Sequence, residues 1–317
     1  MRLCLMVEGQ EDVSWDEWLA LAEATERTGL DGLFRSDHYL SGDGRVGRGS
    51  LDAWTTLAGI AAHTSRIRLG TMVSPATFRH PSVLGSSATT VDHISGGRVE
   101  LGLGAGWYRM EHEAFGFPFP PLNVRMEMLA EQLEIVTRQW TQDEFSFAGA
   151  HYTLDRCPAL PRPLQRPHPP VIVGGAGKPR TVAMAVRFAQ EYNVVSGDID
   201  ECRAVRERLD RACDAAGRDP ATLPLSVMTT TVVGSDTDEL GRRLDDLAAL
   251  GLGGTGADLL RENRDEWIAG TVPEVLEKLH ALAEVGVKRA MLQHLCHTDV
   301  EMVELIGNEL VPEVSAA

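Results

Sequence analysis

Short runs of branched apolar residues alternate along the chain with longer stretches whose apolar positions recur every three or four residues. The first kind reads as strands at Leu3–Val7, Gly32–Arg35, Ile67–Met72, Val99–Leu103, Val171–Gly174, Tyr192–Val195, Leu225–Val233 and Arg289–Leu295, because a strand covered on both faces needs no polar alternation. The second kind follows most of them and reads as amphipathic helix. One such helix is bounded by its own chemistry. Ser14 is placed as N-cap, Glu17 completes a capping box and Gly29 lies past the end, which sets a helix from about Trp15 to Thr28. Eight strand–helix units imply a (β/α)8 TIM barrel, a single domain over residues 1–317. Alternation alone leaves a doubly wound open sheet as the alternative.

The regularity breaks at about residues 141–170, where Pro158, Pro161, Pro163, Pro167, Pro169 and Pro170 crowd together and no helix can continue. This Pro-rich segment reads as an insertion within the barrel. Ser41–Gly49 and Gly251–Gly256, both rich in glycine, read as mobile loops.

Charge narrows the partners. Thirty basic residues against 46 acidic give a net charge of −16, which disfavours nucleic acid and anionic membrane surfaces and favours a small-molecule ligand. No apolar run approaches the ~20 residues of a membrane span, so a cytoplasmic protein is expected. Five scattered cysteines without a Cys-x-x-Cys pair fit that compartment and indicate neither disulfides nor a zinc ribbon. His294, Cys296, His297 and Asp299 lack metal-ligand spacing, so no metal site is expected.

Two glycine clusters close strands: Gly102, Gly104, Ala105 and Gly106 before Trp107, and Gly174, Gly175, Ala176 and Gly177 before Lys178-Pro179. The first opens no helix at once, unlike a dinucleotide fingerprint, and the second lacks the pattern of a Walker A loop. A strand–turn–helix junction with exposed amides is a phosphate site, and a tight βα turn is the plainer reading. Asp37-His38 follows the second strand, at the end of the barrel that carries chemistry, and is a candidate for proton transfer. Glu111 lies just beyond the first glycine cluster as an acid or hydrogen-bond partner, and Arg79 is placed either to meet an anion or on a solvated face.

Taken together, Ser36-Asp37-His38-Tyr39, Leu69 to Pro75 with Phe78-Arg79-His80-Pro81, Gly102 to Trp107, Val173-Gly174-Gly175 and Ala290 to His294 resemble the bacterial luciferase-like monooxygenase superfamily, most closely its coenzyme F420-dependent oxidoreductases. The resemblance implies hydride transfer between the deazaflavin and a small organic substrate, with FMN-dependent monooxygenation or cofactor binding without turnover as alternatives. It implies His38 as general acid/base with Asp37 orienting it and both facing the ring, and a non-proline cis peptide near Met72-Val73 behind the ring. Gly104, Ala105 and Gly106 join that cofactor site, and the phosphate falls at Gly174–Gly177. Arg109 stands where the family's acid is usual, leaving Glu111 as the nearest carboxylate. Arg45 and Arg48 are placed to meet the anionic tail of F420, and a homodimer formed through helices is expected.

Overall fold

The computed structural model describes residues 1–42, 44 and 47–315. Eight parallel strands, β1 (Arg2–Val7), β2 (Gly32–Arg35), β3 (Arg68–Thr71), β4 (Val99–Gly104), β5 (Val171–Gly174), β6 (Glu191–Val195), β7 (Leu225–Gly234) and β8 (Val287–His294), pair in chain order. β8 then pairs with β1, from Arg2 opposite Arg289 to Val7 opposite His294, which closes the barrel and removes the open-sheet alternative. Helices on the outside connect successive strands. The first runs from Trp15 to Arg27 with the Ser14–Glu17 capping box in place. No helix among the described residues is long and apolar enough to cross a membrane.

Strand parity sorts the side chains. Leu3, Leu5 and Val7 of β1, with Leu33, Leu69, Leu101, Leu103, Val171 and Val173, belong to the main core between barrel and helices. The alternate positions point inward in layers. At the N-terminal end, Arg289 holds Glu100 at 2.6 Å and Glu191 at 2.8 Å, all three buried. Above them Cys4, Met6, Phe34, Met72, Ile172 and Met291 form a second, separate cluster. The layer above that lines a cavity.

Two features differ from expectation. The Pro-rich insertion contains an antiparallel hairpin, Glu144–Ala148 with Thr153–Pro158, anchored by Phe145 against Ile135 and Ala159. The only sequence cue to it is a five-residue alternation too short to stand out. The glycines at the strand ends make room for protein as well: Gly104, Ala105 and Gly106 line the cavity, but the bare backbone is also needed for close packing. A Cβ at Gly102 would lie 2.1 Å from the Thr71 carbonyl oxygen, one at Gly104 2.7 Å from Val73 Cγ2, and one at Gly174 3.2 Å from Val73 Cγ1. Gly102→Ala is therefore expected to destabilise the fold by about 1–3 kcal/mol, since the opposing atom is backbone and cannot rotate away. Urea unfolding measures this, and an unchanged midpoint contradicts it.

Candidate active site

All eight strands converge on one cavity of about 1050 Å³ at their C-terminal ends. Glu8 after β1, Ser36 and His38 after β2, Met72 and Val73 after β3, Gly104 of β4, Gly174 of β5, Asn193 and Val195 of β6, Met228 of β7 and Gln293 of β8 line it. The inward parity that fills the barrel below continues upward into this wall. The Met72–Val73 peptide is cis, as the resemblance implies. Glu8 accepts from Gln10 at 2.7 Å and from Gln293 at 2.5 Å, and Gln293 in turn accepts from Thr230 at 2.8 Å. This gives the cavity one polar, carboxylate-bearing wall.

His38 presents its imidazole to the cavity while Nδ1 lies 2.8 Å from Glu111 Oε2. Glu111 is fully buried on the short helix Arg109–Phe115, and its other oxygen accepts the backbone N–H groups of Tyr39 and Leu40. The carboxylate thus fixes both the ring and the loop that carries it. Burial pushes the His38 pKa down, but the hydrogen bond and charge of Glu111 outweigh it and raise the value above the ordinary 6.5. The stability contributed by this pair is present below the unfolded imidazole pKa and is lost as pH rises through the folded one. Trp107 meets the imidazole edge-on at 5.8 Å and stacks on Tyr108 at 4.9 Å.

The junction after β5 is a rigid turn. The Gly175 N–H donates to the Asn193 carbonyl at 3.0 Å, and the Gly177 N–H donates to the Tyr192 hydroxyl at 2.8 Å. Gly174 and Gly175 line the cavity, whereas Gly177 does not. The amides of Ala176 and Lys178 have no protein acceptor among the described residues. Lys178 provides no side-chain cap to the helix Pro179–Phe188, so the Arg180 and Thr181 amides also stay open at its first turn.

The model of the luciferase-like monooxygenase family matches residues 3–289. The chain belongs to this family. An uncharacterized protein of Mycobacterium tuberculosis is 38% identical over 197 residues, 62% of this chain and 65% of that protein, so the match spans just under two thirds of the relative's length. An F420-dependent glucose-6-phosphate dehydrogenase of Nakamurella multipartita is 27% identical over 93% of this chain and 91% of its own. An FMNH(2)-dependent dimethylsulfone monooxygenase of Pseudomonas putida is 26% identical over 96% and 90%. Among solved structures, the monooxygenase RslO1 of Streptomyces bottropensis superposes with a TM-score of 0.84 at 23% identity, covering 99% of this chain and 100% of its own, a likeness of fold.

In this luciferase-like chain several residues sit elsewhere than the sequence suggests. Asp37 neither touches His38 nor lines the cavity. Lying between the inward-facing Ser36 and His38, it points to the other side, where Ser74 donates to it at 2.5 Å and Arg79 pairs with it at 2.5 Å. Arg79 also binds Asp52 at 2.7 Å and the Tyr39 hydroxyl at 2.9 Å, so its charge is consumed inside the protein. Glu111, not Asp37, orients the imidazole. Arg109 leaves the dyad intact because it lies outside, 3.5 Å from Glu113. At the turn after β5, where the resemblance implies a phosphate, the amides of 175 and 177 are already engaged, so the amides open to an acceptor are those of 176 and 178 and of the helix start. Arg48 pairs with Glu11, which also accepts from Ser41 and Gly42, so it is neutralised; Arg45 lies outside the described residues. No cluster of three His, Cys, Asp or Glu able to hold a metal ion occurs among the described residues.

Glu8, Gln10, Asn193, Met228 and Gln293 line the cavity without having been singled out from the sequence. Counting inward positions along each strand would have found four of them. For the dyad, Glu111→Gln keeps an acceptor and removes the charge, so His38 is expected to titrate at lower pH than in the wild type. An NMR titration of the His38 ring carbons reads this directly, and an unmoved titration refutes the role given to Glu111.

Proposed function

We propose that this protein is an oxidoreductase that passes a hydride between coenzyme F420 and a small organic substrate. The observation that carries the reading is a buried carboxylate holding an imidazole, raised in pKa, against the wall of a cavity built from all eight strands. Such a dyad suits a reaction that moves one proton alongside a hydride. The space fits: about 1050 Å³ exceeds the ~300–1,000 Å³ usual for a single small ligand, leaving room for a tricyclic ring and a substrate together. Beyond Gly175, the open amides of Ala176, Lys178, Arg180 and Thr181 suit a phosphate.

When bound, the deazaflavin supplies hydride exchange at a ring carbon. His38 takes up or releases the accompanying proton through the ring nitrogen opposite Nδ1, while Glu111 keeps Nδ1 fixed and favours the imidazolium. Val73 fills the space over Gly102, Gly104 and Gly174 and would give a bound ring an apolar backing. Glu8 and Gln293 offer a substrate polar group an acceptor and a donor.

FMN-dependent monooxygenation is the second reading, supported by the dimethylsulfone monooxygenase relative that matches nearly the full chain. Titrating the purified protein with oxidised F420 and with FMN, followed by absorbance, separates them. Saturable binding of F420 at micromolar concentration with FMN much weaker supports the first reading, and the reverse order supports the second. Binding of neither overturns both.

A further inference from the structure

A second cavity, of about 770 Å³, opens on the far side of the turn after β5, between the helices Pro179–Phe188 and Ile199–Ala215. Its floor is apolar, made by Val182, Val186, Ala212 and Ala215, and its rim is arginine. The turn partitions the two spaces: Gly174 and Gly175 face the active-site cavity, while Gly177 faces the groove. The open amides of Ala176 and Lys178 sit on this partition.

In a chain of net charge −16 a local excess of cations calls for an explanation. Lys178, Arg180 and Arg208 form no ion pair among the described residues. The Arg208 guanidinium reaches the turn itself, since a Cβ on Gly177 would lie 3.0 Å from its Nη1. One turn further, Arg211 makes only an exposed contact of 3.6 Å with Glu207 on its own helix, and across the groove Arg187 meets Glu134 at 3.0 Å with two thirds of its side chain in solvent. Exposed pairs of this kind are worth little and exchange readily for another carboxylate. Arg218, by contrast, is used up on the carbonyls of Ala185, Val186, Ala189 and Thr222 and serves the fold.

We propose that this groove takes the oligoglutamate tail of the F420 cofactor, with Arg208 and Arg211 meeting successive carboxylates and the valine–alanine floor covering the methylenes between them. The inference rests on the F420 reading above. It replaces Arg48 as the tail's counter-charge, because Arg48 is already paired with Glu11. A ligand that ends at its phosphate, such as FMN, reaches the turn and leaves the groove unused.

The test compares F420 carrying several glutamates with the same cofactor stripped to its phosphate end, using fluorescence titration of wild type and of the Arg208→Gln/Arg211→Gln double variant at low and high salt. Both arginines are exposed, so the variant is expected to fold, and matching melting temperatures verify this. The double variant is expected to weaken binding of the tailed form about tenfold at low salt, two exposed pairs at several-fold each. It should also flatten the salt dependence of that binding while leaving the stripped form unchanged. Equal affinity of wild type and variant for the tailed form overturns the groove, as does an equal loss for both forms; in either case F420 still binds wild type and the proposed function stands. Failure of wild type to bind either form removes the proposed function and this inference together.

Discussion

Replacing His38 with alanine is expected to lower turnover by about 10²–10⁴-fold, the range by which a positioned general acid or base accelerates proton transfer. Cofactor affinity should change little, because the groups suited to hold the cofactor lie on β3, β4 and the β5 turn. Glutamine at this position restores hydrogen bonding to Glu111 without a titrating group and should be equally slow. Steady-state rates and cofactor titrations on the same preparations measure the split. An alanine variant with turnover within a few-fold of wild type would show that His38 exchanges no proton in the slow step. Loss of affinity with turnover retained would instead make it a binding residue.

The second large effect concerns the floor of the barrel. Arg289→Leu is expected to cost about 3–5 kcal/mol, the usual result of removing one partner from a buried ion pair, because Glu100 and Glu191 then stay desolvated without their main cation. Burial pushes Glu100 up, but Arg289 and then Arg68 outweigh it and hold the carboxyl at about 2. Burial dominates at Glu191 and pushes it up against the pull of Arg289. The depressed Glu100 contributes stability that is complete above the ordinary carboxylate range and is lost as pH falls toward 2. In the variant the unpaired carboxyls gain from protonation, so its deficit should narrow as pH falls through that range. Urea unfolding at several pH values reads both effects. A loss below about 1 kcal/mol at neutral pH, or a deficit that does not change with pH, contradicts this account.

Much of this was visible in the residues themselves. Branched runs at Leu3–Val7 or Val171–Gly174 specify strands buried on both faces, and the Ser14–Glu17 box specifies a helix start, because both signals are local. Closure was not local: it depends on β1 finding β8 across the full length of the chain. The dyad shows the same limit. His38 and Glu111 are each recognisable as candidates in the sequence, whereas adjacency points to Asp37 as the partner of the imidazole. Adjacent residues after a strand point to opposite sides, so the partner of His38 comes from a short helix after another strand, 73 positions away. The glycines were legible only in part, for a related reason. A missing Cβ signals close approach, but whether the approaching group is a cofactor or Val73 is decided by tertiary packing.

The layered filling of the barrel has a kinetic consequence. Arg289 with its two glutamates, and the sulfur and aromatic layer above them, seal the lower end, so the well above is blind and whatever enters must leave by the rim where Trp107 stands. Two ligands stacked one above the other in such a shaft come and go in a fixed order. The deeper one has to arrive first and depart last, which makes the sequence of loading and unloading a property of the architecture, whatever the affinities of the individual ligands.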